Sequence, residues 1–210
     1  MNEIKKVSTK NHLEQKERLL DTARELFATK GYEATTTRKI KEASHTSEGL
    51  LYYYFPGGKK ELFDAVVLDK SWDREAVIEA FQFQPVATLA QLKAEIMRFF
   101  KAVWENLIQH DNYQIFMITV HEQAVINDGQ DEWITRLNHL IVGRLTKYLR
   151  DNNDFLQNKL SDLALMSKTL VANLQALIFS DLVIKGNRQI SSHQFEALEQ
   201  QVNFILQHDI

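Results

Sequence analysis

Between Thr35 and Lys60 the chain carries hydroxyl, phenol and ammonium groups at a spacing suited to holding phosphate oxygens. Thr35, Thr36 and Thr37 run directly into Arg38 and Lys39, Thr46 and Ser47 precede Glu48, Gly49 and Leu50, and Tyr52 and Tyr53 follow. A hydroxyl at a helix start caps a free backbone amide and can also reach a phosphate. Capping alone would account for the threonines. Arg38 and Lys39, however, would oppose the helix dipole unless an anion compensates, which favours phosphate contact. Lys59 and Lys60 open another helix after Gly57-Gly58, a break that lets backbone approach a ligand. Their charge there costs about 0.3–1 kcal/mol without an anion, so a bound polyanion explains them better than a merely solvated pair. Tyr52, Tyr53 and Tyr54 point about 100° apart on a helix. Tyr54 and Phe55 share the buried face of Leu51, leaving Tyr52 and Tyr53 outward, either to donate to phosphates or simply to cap the surface.

The elements that must position these groups are helical throughout. Only Pro56 and Pro85 interrupt, and no sustained alternation of apolar and polar residues appears, so the class is all-α with about nine helices. The first runs from about 11 to 30 and stops at Gly31; the second covers about 36–44, burying Ile40 and Ala43; the third covers about 47–54, ending before Pro56. A longer helix spans about 59–81, and the rest fall near 88–109, 113–127, 131–151, 160–185 and 192–207, with turns at Asn127-Asp128-Gly129 and Gly186-Asn187.

Composition narrows the function classes. The 210 residues are 44% hydrophobic and 25% charged, ordinary for a soluble globular protein. Cysteine is absent, which excludes disulfides, thiol nucleophiles and thiolate metal sites and suits a reducing cytoplasm. No signal peptide is expected, and the apolar run Leu170 to Ile184 reads as a buried helix too short to span a bilayer. Residues 1–60 hold 12 basic and 8 acidic side chains, a net of +4, whereas the remainder has a net of −7. A basic head on an acidic body suits a protein that presents one end to a polyanion. His110, His121 and His139 are scattered, and no His-Glu-x-x-His, nucleophile elbow or phosphate-loop glycine pattern is present, so neither catalysis nor a metal or other cofactor is expected.

Residues 12–63 resemble the DNA-binding domain of the TetR family of bacterial transcriptional repressors. The resemblance rests on Gly31-Tyr32, Thr35-Thr36, Ile40, Gly49, Leu51-Tyr52, Phe55 and Lys60-Glu61-Leu62, with the spacing kept from Ile40 to Phe55. It implies a helix-turn-helix that docks in a DNA major groove, with Thr35, Thr36, Thr37, Arg38, Thr46, Ser47, Glu48, Gly49, Leu50, Tyr52, Tyr53, Lys59 and Lys60 as contact residues. Two departures fall on the reading surface. Ser44-His45-Thr46 replaces a small Ala-Gly-Val, which asks His45 to adopt positive φ, and Glu48 replaces a frequent Lys or Arg. Glu48 cannot grip phosphate but can accept from a cytosine amino group, so the operator sequence does not carry over from relatives.

Beyond residue 63 the resemblance implies a helical effector-binding and dimerisation domain, placing the DNA-binding domain at 1–58 and the second domain at 59–210. Phe99, Val103, Trp104, Phe116, Met117, Val120, His121, Trp133 and Asn173 lie in the segments that line the family's cavity, although an aromatic-rich bundle needs such residues for its core in any case. Leu163, Leu170, Leu174, Leu177, Ile178, Phe195, Leu198, Val202 and Ile205 stripe the last two helices and are expected to form a four-helix contact with a second copy, the alternative being an internal core. The implied protein is a cytoplasmic homodimeric repressor that binds a palindromic operator and is released by a small molecule. The alternative keeps the DNA head but uses the large domain for a protein partner or no ligand.

Overall fold

In the computed structural model the long first helix, α1 (Asn2–Ala34), is interrupted at Gly31, whose φ of 76° and ψ of 170° lie outside helical space. The structure describes residues 2–68, 71–122, 124–126, 132–156, 162–189 and 191–207, and those residues contain helices and no strand. The remaining helices are α2 (Thr37–Ser44), α3 (Glu48–Tyr54), α4 (Gly58–Leu68), α5 (Ser71–Ala80), α6 (Leu89–Leu107), α7 (His110–His121), α8 (Glu132–Asp151), α9 (Leu163–Ile178) and α10 (Ser192–Gln207). Of the helix expected over 59–81, the described residues hold α4 and α5, and residues 69–70 between them lie outside the described residues. The expected Asn127-Asp128-Gly129 turn lies outside the described residues.

These helices group into two units: Met1–Ser71 with His110–Glu132, and Trp72–Gln109 with Trp133–Ile210. The sequence boundary at 58/59 therefore falls within the first unit, because α4 packs on α1 and α7 joins them. The core of this unit is Leu19, Ala23, Phe27, Ile40, Leu51, Phe55, Leu62, Phe63, Val66 and Val67, closed by Ile118 of α7. Tyr32 stacks on Phe27 at 5.8 Å and meets Phe63 edge-on at 4.9 Å. Ala43, expected inside, is exposed; Ser44 is the buried residue at that end of α2. Its hydroxyl lies 2.8 Å from that of Thr46, so a polar side chain is accommodated where an apolar one was expected.

The second unit is built on α6, α8, α9 and α10, whose core includes Leu92, Ile96, Phe99, Phe100, Leu145, Leu149, Leu170, Leu174, Leu198 and Val202. The segment after α5 is pinned to it: Phe83 stacks on Tyr148 at 4.1 Å, while Arg144 donates to the carbonyls of Glu79 and Phe81. Burial and the nearby Glu95 push the Tyr148 phenol up to about 12, so it stays a neutral donor toward the Gln84 carbonyl.

The eighth expected helix, 160–185, is α9 followed by a π-helical turn, Phe179–Ile184. By length and composition Leu163–Ile184 could cross a bilayer, at a mean hydropathy of 1.4, which the shorter window Leu170 to Ile184 had excluded. One side of it is core, with Leu170, Val171, Leu174 and Leu182 buried, but Leu165, Phe179 and Ile184 are exposed. It is therefore half-buried within one chain rather than buried all round.

Candidate nucleic-acid interface

The turn between α2 and α3 is set by local chemistry at three consecutive points. Thr36 caps α2, its hydroxyl accepting from the Lys39 N–H at 3.2 Å. His45 ends α2 in left-handed geometry at φ 54°, ψ 40°, as the replacement of glycine at this turn required, and its N–H donates to the Glu42 carbonyl. Ser47 then caps α3, accepting from the Leu50 N–H at 3.2 Å. Leu51 and Phe55 anchor α3 in the core. Its other face is left open: Glu48, Gly49, Tyr52 and Tyr53 are exposed, the tyrosines by 44% and 69%, and Leu50 is half-buried.

Around this face the structure brings most of the expected contact residues to the surface. Thr36 and Arg38 are exposed, and Thr37, Thr46, Lys59 and Lys60 are half-buried. Thr35 is the exception and must be corrected. It is 0% exposed, and its hydroxyl donates to the Gly31 carbonyl at 2.8 Å, with the Leu26 carbonyl at 3.2 Å sharing the same proton, so it ties the α1–α2 corner together and does not face a phosphate.

All the lysines and arginines between residues 38 and 60 already have an acceptor inside the chain. Arg38 Nε meets the Glu42 carboxylate at 2.8 Å, Lys39 Nζ the Ala34 carbonyl at 2.7 Å, and Lys41 Nζ the Glu48 carboxylate at 3.6 Å. Lys59 Nζ donates to the Tyr32 carbonyl at 3.1 Å and sits 3.9 Å from the centre of its ring, while Lys60 pairs with Asp64. The hydrogen bond from Arg38 holds the Glu42 carboxyl below its ordinary range, so the pair is charged. A phosphate arriving here shares these cations with carboxylates and carbonyls and uses their remaining N–H donors, an arrangement that the spacing of the cations alone did not reveal.

The pocket and dimer expectations fare differently. Phe99, Val103, Trp104 and Trp133 are buried in the second unit, and Phe99 packs on Phe81 and Phe83 at 5.0 Å each, so Phe99 and Val103 fill a core. Phe116, Met117 and Val120 are half-buried and His121 exposed, and all four belong to the first unit. Asn173 donates to the Thr169 carbonyl of its own helix. Of the expected dimer stripe, Leu163, Leu170, Leu174, Leu198, Val202 and Ile205 are buried within the single chain and join α9 and α10 in one cluster with α6 and α8; they are core, not a free face. Leu177, Ile178 and Phe195 are half-buried. The open apolar residues of these helices are instead Leu165 and Phe204, at 54% and 59% exposure. An open groove of about 510 Å³ runs beside Phe204, lined also by Thr169, Asn173, Ala197, Gln200 and Gln201. Helical periodicity identified the apolar stripe but could not distinguish its inward side from its rim.

Residues 19–66, which hold this capped turn and its core, match the family described as "Bacterial regulatory proteins, tetR family". That segment is similar to the DNA-binding domain of TetR-family regulators. The chain is similar to the transcriptional regulator LmrA of Bacillus subtilis, 34% identical over 70 residues that make up 33% of this chain and 37% of LmrA. It is also similar to the transcriptional regulator QacR of Staphylococcus aureus, 34% identical over 67 residues, 30% of this chain and 36% of QacR. The chain thus matches little more than a third of the length of these relatives, which are regulators and not enzymes. The fold is shared with solved structures over nine-tenths or more of the chain, one of them that of a TetR-family transcriptional regulator. PfmR of Thermus thermophilus aligns with a TM-score of 0.62 at 22% identity, covering 90% of this chain and 97% of PfmR. GusR of Salmonella enterica aligns with a TM-score of 0.60 at 20% identity, covering 93% and 97%.

Proposed function

We propose that the protein is a homodimeric, ligand-responsive transcriptional regulator of the bacterial cytoplasm, a repressor that binds a palindromic operator and leaves it when a small molecule binds. The observation that carries this reading is the capped α2–α3 turn, which buries Leu51 and Phe55 and turns Glu48, Gly49 and Tyr53 outward together. Such a face, seven residues of helix long, offers too few contacts to choose a sequence alone. Two of them spaced about 34–36 Å apart read a pair of half-sites, so DNA recognition calls for a dimer. Residues 1–58 then act as the DNA-binding domain and 59–210, which opens with α4 packed into the first unit, as the effector-binding and dimerisation domain, with Phe204, the groove beside it and Leu165 as the surface offered to a second copy. A ligand that favours one separation of the two heads would change operator affinity by as much as its affinity differs between the two states.

A second reading, in which the large domain binds a protein partner or no ligand, is favoured by the filled packing of Phe99 against Phe81 and Phe83, where the cavity was expected. Selection of randomised duplexes with the purified protein, followed by sedimentation and by release of the selected duplex with a library of small molecules, tests the proposal. Binding to a two-fold symmetric site by a dimer, reversed by a small molecule, is expected. Failure to bind any duplex in dilute buffer would overturn it, and binding that no small molecule reverses would favour the second reading.

A further inference from the structure

The strongest unassigned feature is the pairing across the turn, where Lys41 Nζ at the end of α2 lies 3.6 Å from Glu48 Oε2 at the start of α3. Glu48 keeps 64% of its side chain exposed, so the lysine orients the carboxylate without covering it. Next to it stands Gly49, which has no positive φ and where an added Cβ would meet nothing within 4 Å. Neither backbone geometry nor internal packing calls for glycine at this point, although glycine weakens a helix. The space beside Glu48 is thus free for another molecule.

We propose that Glu48 is a specificity-determining residue that selects cytosine in each half-site, with Lys41 as its positioning partner. This rests on the DNA-reading assignment made above. An ionised carboxylate only accepts hydrogen bonds. In the major groove guanine shows two acceptors and thymine one, adenine sets an acceptor beside its amino donor, and cytosine shows an amino donor alone. Against guanine or thymine the carboxylate loses water, gains no donor and is repelled; against adenine one oxygen is satisfied while the other faces N7; against cytosine it is satisfied without opposition. The surrounding charges sharpen the choice. The carboxylates of Glu42 and Asp64 already engage Arg38 and Lys60, so attraction to any phosphate backbone is blunted and the base opposite Glu48 counts for more.

The test is duplex selection with the full-length protein, its Glu48→Gln and Glu48→Ala forms, and Lys41→Met and Lys41→Arg, followed by equilibrium binding to single-base variants of each selected site. The wild type is expected to require cytosine at one position of each half-site, with a loss of about tenfold or more when that pair is changed. Glu48→Gln should select adenine there, because an amide matches adenine's adjacent donor and acceptor. Glu48→Ala should lose the preference at that position alone. Lys41→Met should lower the discrimination and Lys41→Arg restore it, a ratio that a merely structural lysine would not move. If Glu48→Ala selects the same bases as the wild type, the inference is overturned while the regulator reading stands. If the wild type selects no sequence, both fall.

Discussion

The carboxylate of Glu122 accepts the backbone N–H of Tyr32 at 2.9 Å, across ninety positions of chain. The same Tyr32 gives its carbonyl to Lys59 Nζ, so this residue is held from both sides, by the end of α7 and the start of α4. Gly31 makes the approach possible twice over: it supplies a φ of 76°, and a Cβ there would come within 2.8 Å of Glu122 Oε1. A second tie lies at the start of α7, where the buried Arg24 donates to Gln114 at 3.1 Å and pairs with Asp111 at 3.0 Å. The corner that feeds into the helix-turn-helix is thus fixed by a helix that follows it by some eighty residues.

Gly31→Ala should destabilise the protein by about 1–3 kcal/mol through backbone strain, and it should also push Glu122 away. Glu122→Ala should cost about 1–3 kcal/mol by leaving the Tyr32 N–H unsatisfied. Because one substitution removes what the other disturbs, the double mutant in urea denaturation should be less destabilised than the sum. Fully additive losses would show that the two residues are not in contact.

Thr35→Val should behave as a packing-neutral loss of the one internal hydroxyl donor shared by the Gly31 and Leu26 carbonyls, lowering stability by about 1–2 kcal/mol while leaving the salt dependence of DNA binding by the folded protein unchanged. A reduced salt slope in this variant would return Thr35 to the phosphate-facing groups.

Lys60→Ala should weaken binding to cognate and non-cognate duplexes alike and flatten the salt dependence by up to about 0.9 in the log–log slope for each phosphate left without its cation. Asp64→Asn, which releases the lysine from its partner, should move non-cognate affinity in the opposite direction. Equal titration curves for the two variants would contradict a phosphate contact at Lys60.

Phe204→Asp should yield folded monomers in sedimentation that no longer hold a palindromic duplex, since this ring is exposed in the single chain. Leu174→Arg should instead unfold the second unit, because Leu174 is 1% exposed and a charge there has no partner. A folded dimeric Phe204→Asp protein would move the proposed self-contact elsewhere.

Asp181 gives a pH signature. Burial raises its carboxyl, but hydrogen bonds from Ser180, Lys185 and Gln194 outweigh burial and hold it below its ordinary 3.8. A depressed folded value means that the stabilisation is complete above the unfolded value and fades as pH falls below it. The stability gap between wild type and Asp181→Asn should therefore be constant near neutrality and narrow below about pH 3.8. A gap that widens in acid would show that burial dominates.

What the sequence determined by itself was local, because its causes were local. Gly31 broke α1 and Pro56 closed α3, the Thr36 and Ser47 hydroxyls capped the helices that follow them, and the loss of glycine at His45 demanded the left-handed turn that is observed. Three- and four-residue spacing from Leu51 correctly turned Phe55 inward and Tyr52 and Tyr53 outward. What the tertiary structure decided was partnership. Thr35, one of three adjacent threonines, is buried by the carbonyls of Gly31 and Leu26, and Glu122 finds Tyr32 only once α7 has packed on α1. Likewise the stripe through Leu170, Leu174 and Val202 has the same period whether it meets its own chain or a second one, and only the packing of α9 against α10, and of α10 against α6, showed it to be core. Periodicity says which side of a helix must be covered, whereas what covers it is settled by contacts between residues far apart in the chain.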